Sequence, residues 1–504
     1  MTAPTHTTHA TNATNATTPS AAPAIDGDLT VLHLGLGSFH RAHLAVYLNR
    51  LMNPPAASSV AAAAATAENL AAVPARNWSI VGGNLRNDGA AVLSALMAQH
   101  GDYTLETVAP NGARDYELIR SIRRVLPFDA ALTGLIEVAA TPSTRIISFT
   151  VTEAGYYLDA DHKLDLSHAD LCSDLEGRTR STIYGALAAL LQARMQCSAG
   201  AVTLLNCDNL RGNGDRLRAG LLEFLERRGE GVLQQWVLTH TTCPNSMVDR
   251  ITPRPSAEIA PRVKAQTGRD DAAPVMAERF IQWVVEDRFA NGRPAWESVG
   301  VEMVTSVHAH EEVKIRLLNA THSCIAWAAT LQGLTYIHEG VGVAAIRQMA
   351  FDYVTHDAIP CLTPADHASP IDLPRYRDEV LDRFSNPFLL DTNQRVAMDG
   401  FSKIPGFIVP TLRECLERGA SIASTAMLPA LFFAVLGRWH RGELAYAYQD
   451  GVMDAQVAHA FFSAPDPLLA FCSNPELWGP LAGDATLVAA IRAADVRVQA
   501  FLNP

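Results

Sequence analysis

Three polar residues stand among apolar ones in the stretch HEEVKIRLLNATHSC, residues 310–324. They are Lys314, Asn319 and His322, and a helix through this stretch could turn all three toward one cavity. Leaving such groups buried without partners would cost roughly 2–7 kcal/mol for each neutral polar group. A lysine that has lost its proton can act as a general base, and amide N–H groups can stabilise a developing negative charge. Together, beside a dinucleotide fold, the three indicate a functional site, although each residue alone fits a salt-bridged helix with a buried histidine more simply.

A second motif with chemical potential lies near the N-terminus, where HLGLGSFHRAH (33–43) overlaps the end of the apolar run 29–34. Gly35-x-Gly37 supplies a tight turn and lets backbone N–H groups approach a pyrophosphate at the start of a helix. The third glycine of the usual G-x-G-x-x-G fingerprint is missing, because position 40 is His40. This turn alone therefore fits a plain strand–turn–helix as well as a dinucleotide site.

Apolar strands alternate with helical stretches through the first 300 residues. Polar residues, among them Asn206, Asp208 and Asn209, follow the apolar run that begins at Ala201, and Asp208 could organise this loop or touch a ligand. Strands alternating with helices predict a parallel, doubly wound sheet that binds ligands beyond the carboxyl ends of its strands. The predicted strands are 29–34, 78–85, 145–157 and the run from 201, and the predicted helices include 181–195 and 214–229.

Changes of composition divide the chain into three regions. The composition of residues 1–27 predicts a disordered tail. The alanine-rich stretch 54–75 is bounded by prolines and is predicted to be an insertion at the surface. We expect a dinucleotide-binding domain at 28–305 and a helical substrate and catalytic domain at 306–504. The fold class is therefore α/β, with a doubly wound Rossmann-type N-terminal domain, a mainly α-helical C-terminal domain and a cleft between them.

Composition excludes several classes of partner. The net charge of −12 disfavours nucleic acid or an anionic membrane as the main partner. No apolar run approaches the ~18–20 residues that span a bilayer. The eight cysteines form no C-x-x-C pair, a pattern typical of a reducing cytoplasm. We expect a cytoplasmic monomer that binds a small molecule.

The spacing K-x-x-x-x-N-x-x-H resembles the signature of the long-chain polyol dehydrogenases, which include mannitol dehydrogenases and hexuronate reductases. The resemblance covers the chain from about residue 29, and within the family it is greatest to members that oxidise D-arabinitol to D-xylulose with NAD. Mannitol oxidation and hexuronate reduction are the alternatives. A nucleotide-binding protein without catalysis is a remote one, since the lysine and both asparagines are present. The further motifs are TVTEAGYY (150–157), LLNCDN (204–209), CPNSMVDRITP (243–253) and NQRVAMDGFSKIP (393–405).

The resemblance also implies a role for each site residue. Lys314 would be the general base, Asn209 and Asn319 the pair that stabilises the alkoxide, and Glu311, one turn before the lysine, a relay of the proton toward solvent. The residues implied to contact the polyol or ketose are His322, Asp249, Arg395 and Lys403. Those expected to hold the cofactor pyrophosphate are Gly35, Gly37, Ser38, Phe39, His40 and Arg41.

The choice of cofactor depends on the loop NLRNDGA after the second strand. An acidic residue there binds the ribose diol of NAD, whereas an arginine favours the 2′-phosphate of NADP. The loop offers both Asp88 and Arg86, and the resemblance favours NAD.

A metal site was weighed against this interpretation. His40 with His43, and His308 and His310 with Glu311 and Glu312, have the spacing of metal ligands, but catalytic zinc needs three convergent protein ligands. Only distant segments could complete either pair, and the resemblance implies a metal-independent enzyme.

Overall fold

The computed structural model describes residues 29–53, 72–73, 78–159, 162–363, 369 and 371–503. The predicted tail at 1–27 lies outside the described residues, as does nearly all of the alanine-rich stretch at 54–75.

Six parallel strands form the main sheet of the N-terminal domain. When the strands are numbered in chain order, their order across the sheet is 3-2-1-4-5-6. This is the Rossmann order, and it confirms the predicted doubly wound sheet. The order reverses beside Leu29–Leu34, so a ligand crevice lies beyond the carboxyl end of that strand. From one edge to the other the strands are Ile122–Val125, Trp78–Gly83, Leu29–Leu34, Thr144–Phe149, Val202–Asn206 and Thr241–Thr242.

Helices cover both faces of this sheet because its strands are apolar on both sides. Ile146 and Leu205 pack into one core, while their neighbours Ile147 and Leu204 pack into the core on the opposite face. The helices of this domain are Ser38–Ala42, Leu44–Met52, Ala90–Ala98, Thr133–Ala139, Ala169–Leu175, Ile183–Gln196, Asn213–Arg227, Gly231–His240 and Ile259–Thr267, with 3-10 turns at Asn87–Gly89, Glu153–Tyr156 and Trp296–Val299.

Smaller sheets that the sequence pattern did not indicate complete the N-terminal domain. Tyr103–Val108 pairs antiparallel with Arg114–Ile119 and parallel with Val275–Glu278. Polar and charged residues interrupt these strands, so the apolar pattern that revealed the main sheet is weak in them. The remaining pairs join Ser246–Asp249, Gln282–Glu286 and Glu302–Val304 in one sheet and Ala72–Val73 with Arg293–Pro294 in another.

The C-terminal domain is helical, and over 306–363 and 371–503 it has no strand beyond an isolated bridge. Its core draws on residues 313–498. Three segments are π-helical, Lys314–Asn319, Tyr353–Ala358 and Ile404–Ile408. The other helices are His308–Val313, Ala320–Leu331, Ile337–Gly342, Ala344–Asp352, Ile359–Leu362, Leu373–Phe384, Asn393–Ala397, Gly400–Lys403, Val409–Glu417, Met427–His440, Ala455–Phe461, Pro467–Cys472, Pro475–Trp478 and Ala485–Leu502, with a 3-10 turn at Gly479–Leu481.

None of the helices in the described ranges combines the length and the apolar character that a membrane-spanning helix requires.

Candidate active site

Lys314 begins a π-helical segment, Lys314–Asn319, that interrupts the predicted long helix. In such a segment an N–H bonds to the carbonyl five residues earlier, as the Ala320 N–H does to Ile315 O. Residues five apart then lie on the same side of the helix, so Asn319 shares the face that carries Lys314. In an α-helix the two would be about 140° apart.

Lys314 is buried, with 6% of its surface exposed, and its Nζ donates a hydrogen bond to Asn209 Oδ1. Burial lowers the pKa of Lys314, and the Asp249 carboxylate partly opposes this effect. A lysine in these surroundings holds its proton less firmly than one in water and is suited to accept a proton from a substrate.

Asn209 is positioned by the loop that follows the strand Val202–Asn206. The Asp208 carboxylate accepts hydrogen bonds from the backbone N–H groups of Val151 and Thr152, both at 2.9 Å, and from the Tyr156 hydroxyl at 3.0 Å. Of its two predicted roles, Asp208 therefore takes the organisation of the loop. Its bonds tie together the ends of two neighbouring strands at the site.

Glu153 belongs to the loop that follows the neighbouring strand Thr144–Phe149, and it was not singled out from the sequence. Lys403 and Lys314 both act on its carboxylate, while burial raises its pKa. Its neighbour Thr152 has a φ of +65°, a backbone conformation that costs of order 1–3 kcal/mol in a non-glycine residue. The strained turn and the two lysines place Glu153 among the site residues, and TVTEAGYY was the sequence signal that contained it.

His322 lies three residues after Asn319, about one turn further along the helix. The ring of His322 stacks on Phe384 with centroids 4.3 Å apart, and its Nε2 lies 3.3 Å from Asp391 Oδ2. Burial lowers the pKa of His322 although Asp391 acts in the opposite direction. Arg395 also binds Asp391, through two bonds of 2.8 and 2.7 Å.

Lys403 is a further buried lysine among the predicted substrate residues. Its Nζ donates to the backbone carbonyls of Val396 and Met398, both at 2.6 Å. Burial lowers the pKa of Lys403 to about 8. The charge of Lys403 acts on both His322 and Glu153, and in each case it lowers the pKa.

Asp249 ends the strand Ser246–Asp249, and its carboxylate is the charge with the largest effect on the pKa of Lys314. Both of its oxygens accept hydrogen bonds from Arg383, at 2.7 and 3.0 Å. Burial would raise the pKa of Asp249, but Arg383 and, to a lesser extent, Lys314 bring it below the ordinary value. Asp249 therefore stays ionised beside the lysine.

Glu311 lies one turn before Lys314 and lines a cavity of about 350 Å³ whose lining also includes Arg216 and His308. The Gly212 N–H donates to Glu311 Oε1 at 3.0 Å. Burial raises the pKa of Glu311 to about 7, so near neutral pH this carboxyl can both take up and release a proton.

The glycine turn has the form that a dinucleotide phosphate requires. Gly35 has a φ of +100°, and a Cβ there would lie 3.2 Å from Thr150 O, so glycine is needed. Gly37 is exposed, and a Cβ placed on it would have no atom within 4 Å. Gly35, Ser38 and Phe39 are partly exposed, so four of the six predicted residues lie at an accessible surface.

His40 and Arg41 point beneath this turn instead of toward its surface. His40 stacks on His33 at 3.3 Å between centroids, and burial lowers its pKa well below the ordinary value. Arg41 donates to Ala273 O, and the Tyr103 hydroxyl donates to Arg41 O. Both side chains are 1% exposed, so they support the turn from below and do not join the other predicted pyrophosphate residues.

The two residues expected to choose the cofactor have different surroundings. Arg86 donates to the Asp170 carboxylate at 2.9 Å, to the Tyr157 hydroxyl and to Ser181 O. Asp88 is exposed on the 3-10 turn Asn87–Gly89 and makes no side-chain hydrogen bond to another described residue. Asp88 is thus available to a ligand, and Arg86 is already engaged.

The histidine pairs considered as metal ligands have other partners or face solvent. His43 Nε2 lies 2.9 Å from Gln282 O, His310 lies 3.5 Å from Glu302, and His308 is exposed. In the part of the chain that the structure describes, no three or more His, Cys, Asp or Glu side chains are grouped to hold a metal ion.

Comparison with known proteins adds independent observations. The sequence model of the mannitol dehydrogenase Rossmann domain matches residues 29–298, and that of the mannitol dehydrogenase C-terminal domain matches residues 306–498. The chain is 58% identical to a D-arabinitol 4-dehydrogenase of Ralstonia nicotianae, over 94% of this chain and 97% of the relative. It is 52% identical to a D-arabinitol 4-dehydrogenase of Klebsiella pneumoniae, over 95% of this chain and all of the relative.

A solved structure is similar over nearly the same extent. The ternary complex of Pseudomonas fluorescens mannitol 2-dehydrogenase with NAD and D-mannitol superposes with a TM-score of 0.79 at 32% identity. The match covers 95% of this chain and 94% of that one.

Proposed function

The chain belongs to the mannitol dehydrogenase family, and we propose that it oxidises D-arabinitol to D-xylulose with NAD, with Lys314 as general base. The observation that carries the proposal is a buried lysine bonded to Asn209 and facing Asn319 on one side of a π-helical segment. The substrate is taken from the names of the two D-arabinitol 4-dehydrogenases.

The protein's own groups account for the movement of the proton. Lys314 Nζ, when neutral, takes the proton of the substrate hydroxyl, and the side-chain N–H groups of Asn209 and Asn319 donate to the alkoxide oxygen. Glu311 then receives the proton and releases it into the adjoining cavity. NAD, when bound, supplies the acceptor for the hydride. No step requires a metal ion.

Residues of the glycine turn fit this cofactor. Gly37 leaves open space beside the turn, and the crevice lies where the strand order reverses. The free carboxylate of Asp88 suits the ribose diol of NAD, whereas Arg86 would have to leave Asp170 and Tyr157 to bind a 2′-phosphate. The eight cysteines are free thiols, which supports a cytoplasmic location.

Substrate preference is the experiment that tests the proposal. We expect D-arabinitol to give the highest kcat/KM with NAD in a panel of polyols, ahead of D-mannitol, measured by absorbance of the reduced cofactor. The Lys314→Ala variant, assayed in parallel, shows that the activity belongs to this site. Turnover of D-mannitol equal to or faster than that of D-arabinitol would contradict the substrate while leaving the family intact.

Replacement of Asp88 by alanine should weaken NAD binding and spare NADP binding. The reason is that Asp88 offers its carboxylate to the ribose diol, which NADP lacks because of its 2′-phosphate. Titration of each cofactor by quenching of protein fluorescence measures the two affinities. Asp270→Ala, at an exposed carboxylate paired with Lys264, is the matched control. An unchanged preference would transfer the role to another residue, Asn87 first.

A further inference from the structure

Arg383 is the most heavily bonded cation near the candidate base, although no motif drew attention to it. It ends the helix Leu373–Phe384 of the C-terminal domain, next to Phe384. Its guanidinium donates twice to Asp249, at 2.7 and 3.0 Å, and twice to Glu278, at 2.9 and 2.8 Å. The side chains of Arg383, Asp249 and Glu278 are 6%, 5% and 4% exposed, and Arg383 also lies over the Phe280 ring.

These three charges join the two domains. Asp249 and Glu278 end two separate strands of the N-terminal domain, Ser246–Asp249 and Val275–Glu278. Two carboxylates buried side by side repel each other, and they remain ionised together only if a cation lies between them. The planar fork of an arginine can bond both at once, whereas a lysine is a single point charge. The C-terminal domain therefore supplies the cation that the N-terminal domain needs.

The triad adjoins Lys314 through Asp249. The charged groups that act on Lys314 are Asp249, Glu153 and Glu311, which favour its charged form, and Arg383, which disfavours it. Among these charges Asp249 has the largest effect on the pKa of Lys314. A change in how well Arg383 balances the charge of Asp249 should therefore be felt by the lysine. His43, whose pKa burial lowers to about 3, is neutral near pH 7 and adds no charge.

We propose that Arg383 is a positioning residue of this reaction, which fixes the Asp249 carboxylate across the domain boundary and balances its charge so that Lys314 can release its proton. The proposal rests on Lys314 being the general base. It assigns to Arg383 no contact with substrate or cofactor. Because the arginine and the lysine both belong to the C-terminal domain and Asp249 to the N-terminal domain, the base is competent only when the domains are docked.

The pH dependence of kcat/KM for D-arabinitol oxidation tests the proposal. With Arg383→Met, Asp249 loses its counter-charge and favours the lysine ammonium more strongly, so the midpoint of the rising limb should move up by about one pH unit. Arg383→Lys keeps a charge and should move the midpoint less. Asp249→Asn removes the anion and should move it down. Arg347→Met, at a half-exposed arginine that pairs with Asp382, should leave it in place.

A merely structural clamp would give a different result. It would lower the melting temperature of Arg383→Met, and it would lower kcat by the same factor at every pH. The midpoint of the rising limb would then stay in place, and that outcome would overturn the proposal. If Arg383→Met does not fold, the double variant Arg383→Met/Glu278→Gln removes one of the two uncompensated carboxylates and should still show the upward shift. An unchanged or raised midpoint in Asp249→Asn also contradicts it.

Failure of this proposal can be told apart from failure of the proposed function. If Lys314→Ala loses activity while the midpoint in Arg383→Met stays fixed, the lysine is the base and Arg383 does not tune it. If Lys314→Ala remains active, the base has been wrongly identified and the role of Arg383 falls with it.

Discussion

A Lys314→Ala variant is expected to lose about 10²-fold or more in kcat for D-arabinitol oxidation while its affinity for NAD stays near wild type. A lost general base has this scale of effect. NAD affinity should be spared because the glycine turn and Asp88, which we assign to the cofactor, belong to the other domain. Steady-state turnover and fluorescence titration of NAD measure the two quantities separately.

The wild-type pH profile should carry the signature of the same lysine. Burial lowers the pKa of Lys314 from its ordinary 10.5, and only the neutral amine accepts a proton. Oxidation should therefore rise with pH through a single ionisation on the alkaline side of neutral. Ketone reduction, which needs the protonated lysine as acid, should fall over the same range.

Lys264→Ala is the matched control, since Lys264 is 61% exposed and pairs with Asp270 on the surface. Its kcat and pH profile should equal those of the wild type. A Lys314→Ala enzyme that retains more than about a tenth of wild-type kcat at neutral pH, where chemistry limits turnover, would contradict the assignment.

Much of the fold could be predicted from local pattern. The four strands at the centre of the main sheet are buried on both faces, so they appear as apolar runs, and their alternation with helices dictates parallel pairing. The strands at Tyr103–Val108 and Ser246–Asp249 were not predicted because polar residues interrupt their apolar pattern. They are held by pairing partners distant in the sequence, which no local pattern records.

The candidate site could be predicted where its residues share a helix. Lys314, Asn319 and His322 were linked by helical spacing, but an α-helical geometry underestimates how closely the lysine and the first amide face each other. The π-helical segment depends on packing among distant parts of the C-terminal domain, such as the hydrogen bond from the Tyr353 hydroxyl to Arg316 O. Propensity alone does not predict it.

Two arginines show the other limit of sequence reasoning. Arg41 carries a charge beside a phosphate turn, and its type suggested a cofactor contact. Its guanidinium turns inward and donates to Ala273 O, while the Tyr103 hydroxyl donates to Arg41 O. Arg383 has no motif, and only the folded chain brings it between two carboxylates. Charge identifies candidates, and tertiary packing decides which of them face the ligand.

Replacement of either amide by alanine is the second change with a large expected effect. Asn209→Ala and Asn319→Ala should each lower kcat for oxidation by about 10²-fold, the usual effect of removing one donor to a developing oxyanion. Neither side-chain N–H group donates a hydrogen bond to another described residue, so both are free to donate to the alkoxide. The measurement is kcat at saturating D-arabinitol and NAD.

The two variants should differ in their pH profiles, which separates alkoxide stabilisation from support of the base. Asn209 Oδ1 accepts a hydrogen bond from Lys314 and so favours its charged form, so Asn209→Ala should also move the midpoint of the rising limb to lower pH. Asn319 makes no bond to the lysine, and Asn319→Ala should leave the midpoint unchanged. Asn503→Ala, at an exposed amide that bonds to Gln499 O, is the control and should retain full kcat.

If both site variants keep kcat within a few-fold of wild type, the amides do not stabilise the alkoxide. The π-helical segment then serves to present Lys314 alone.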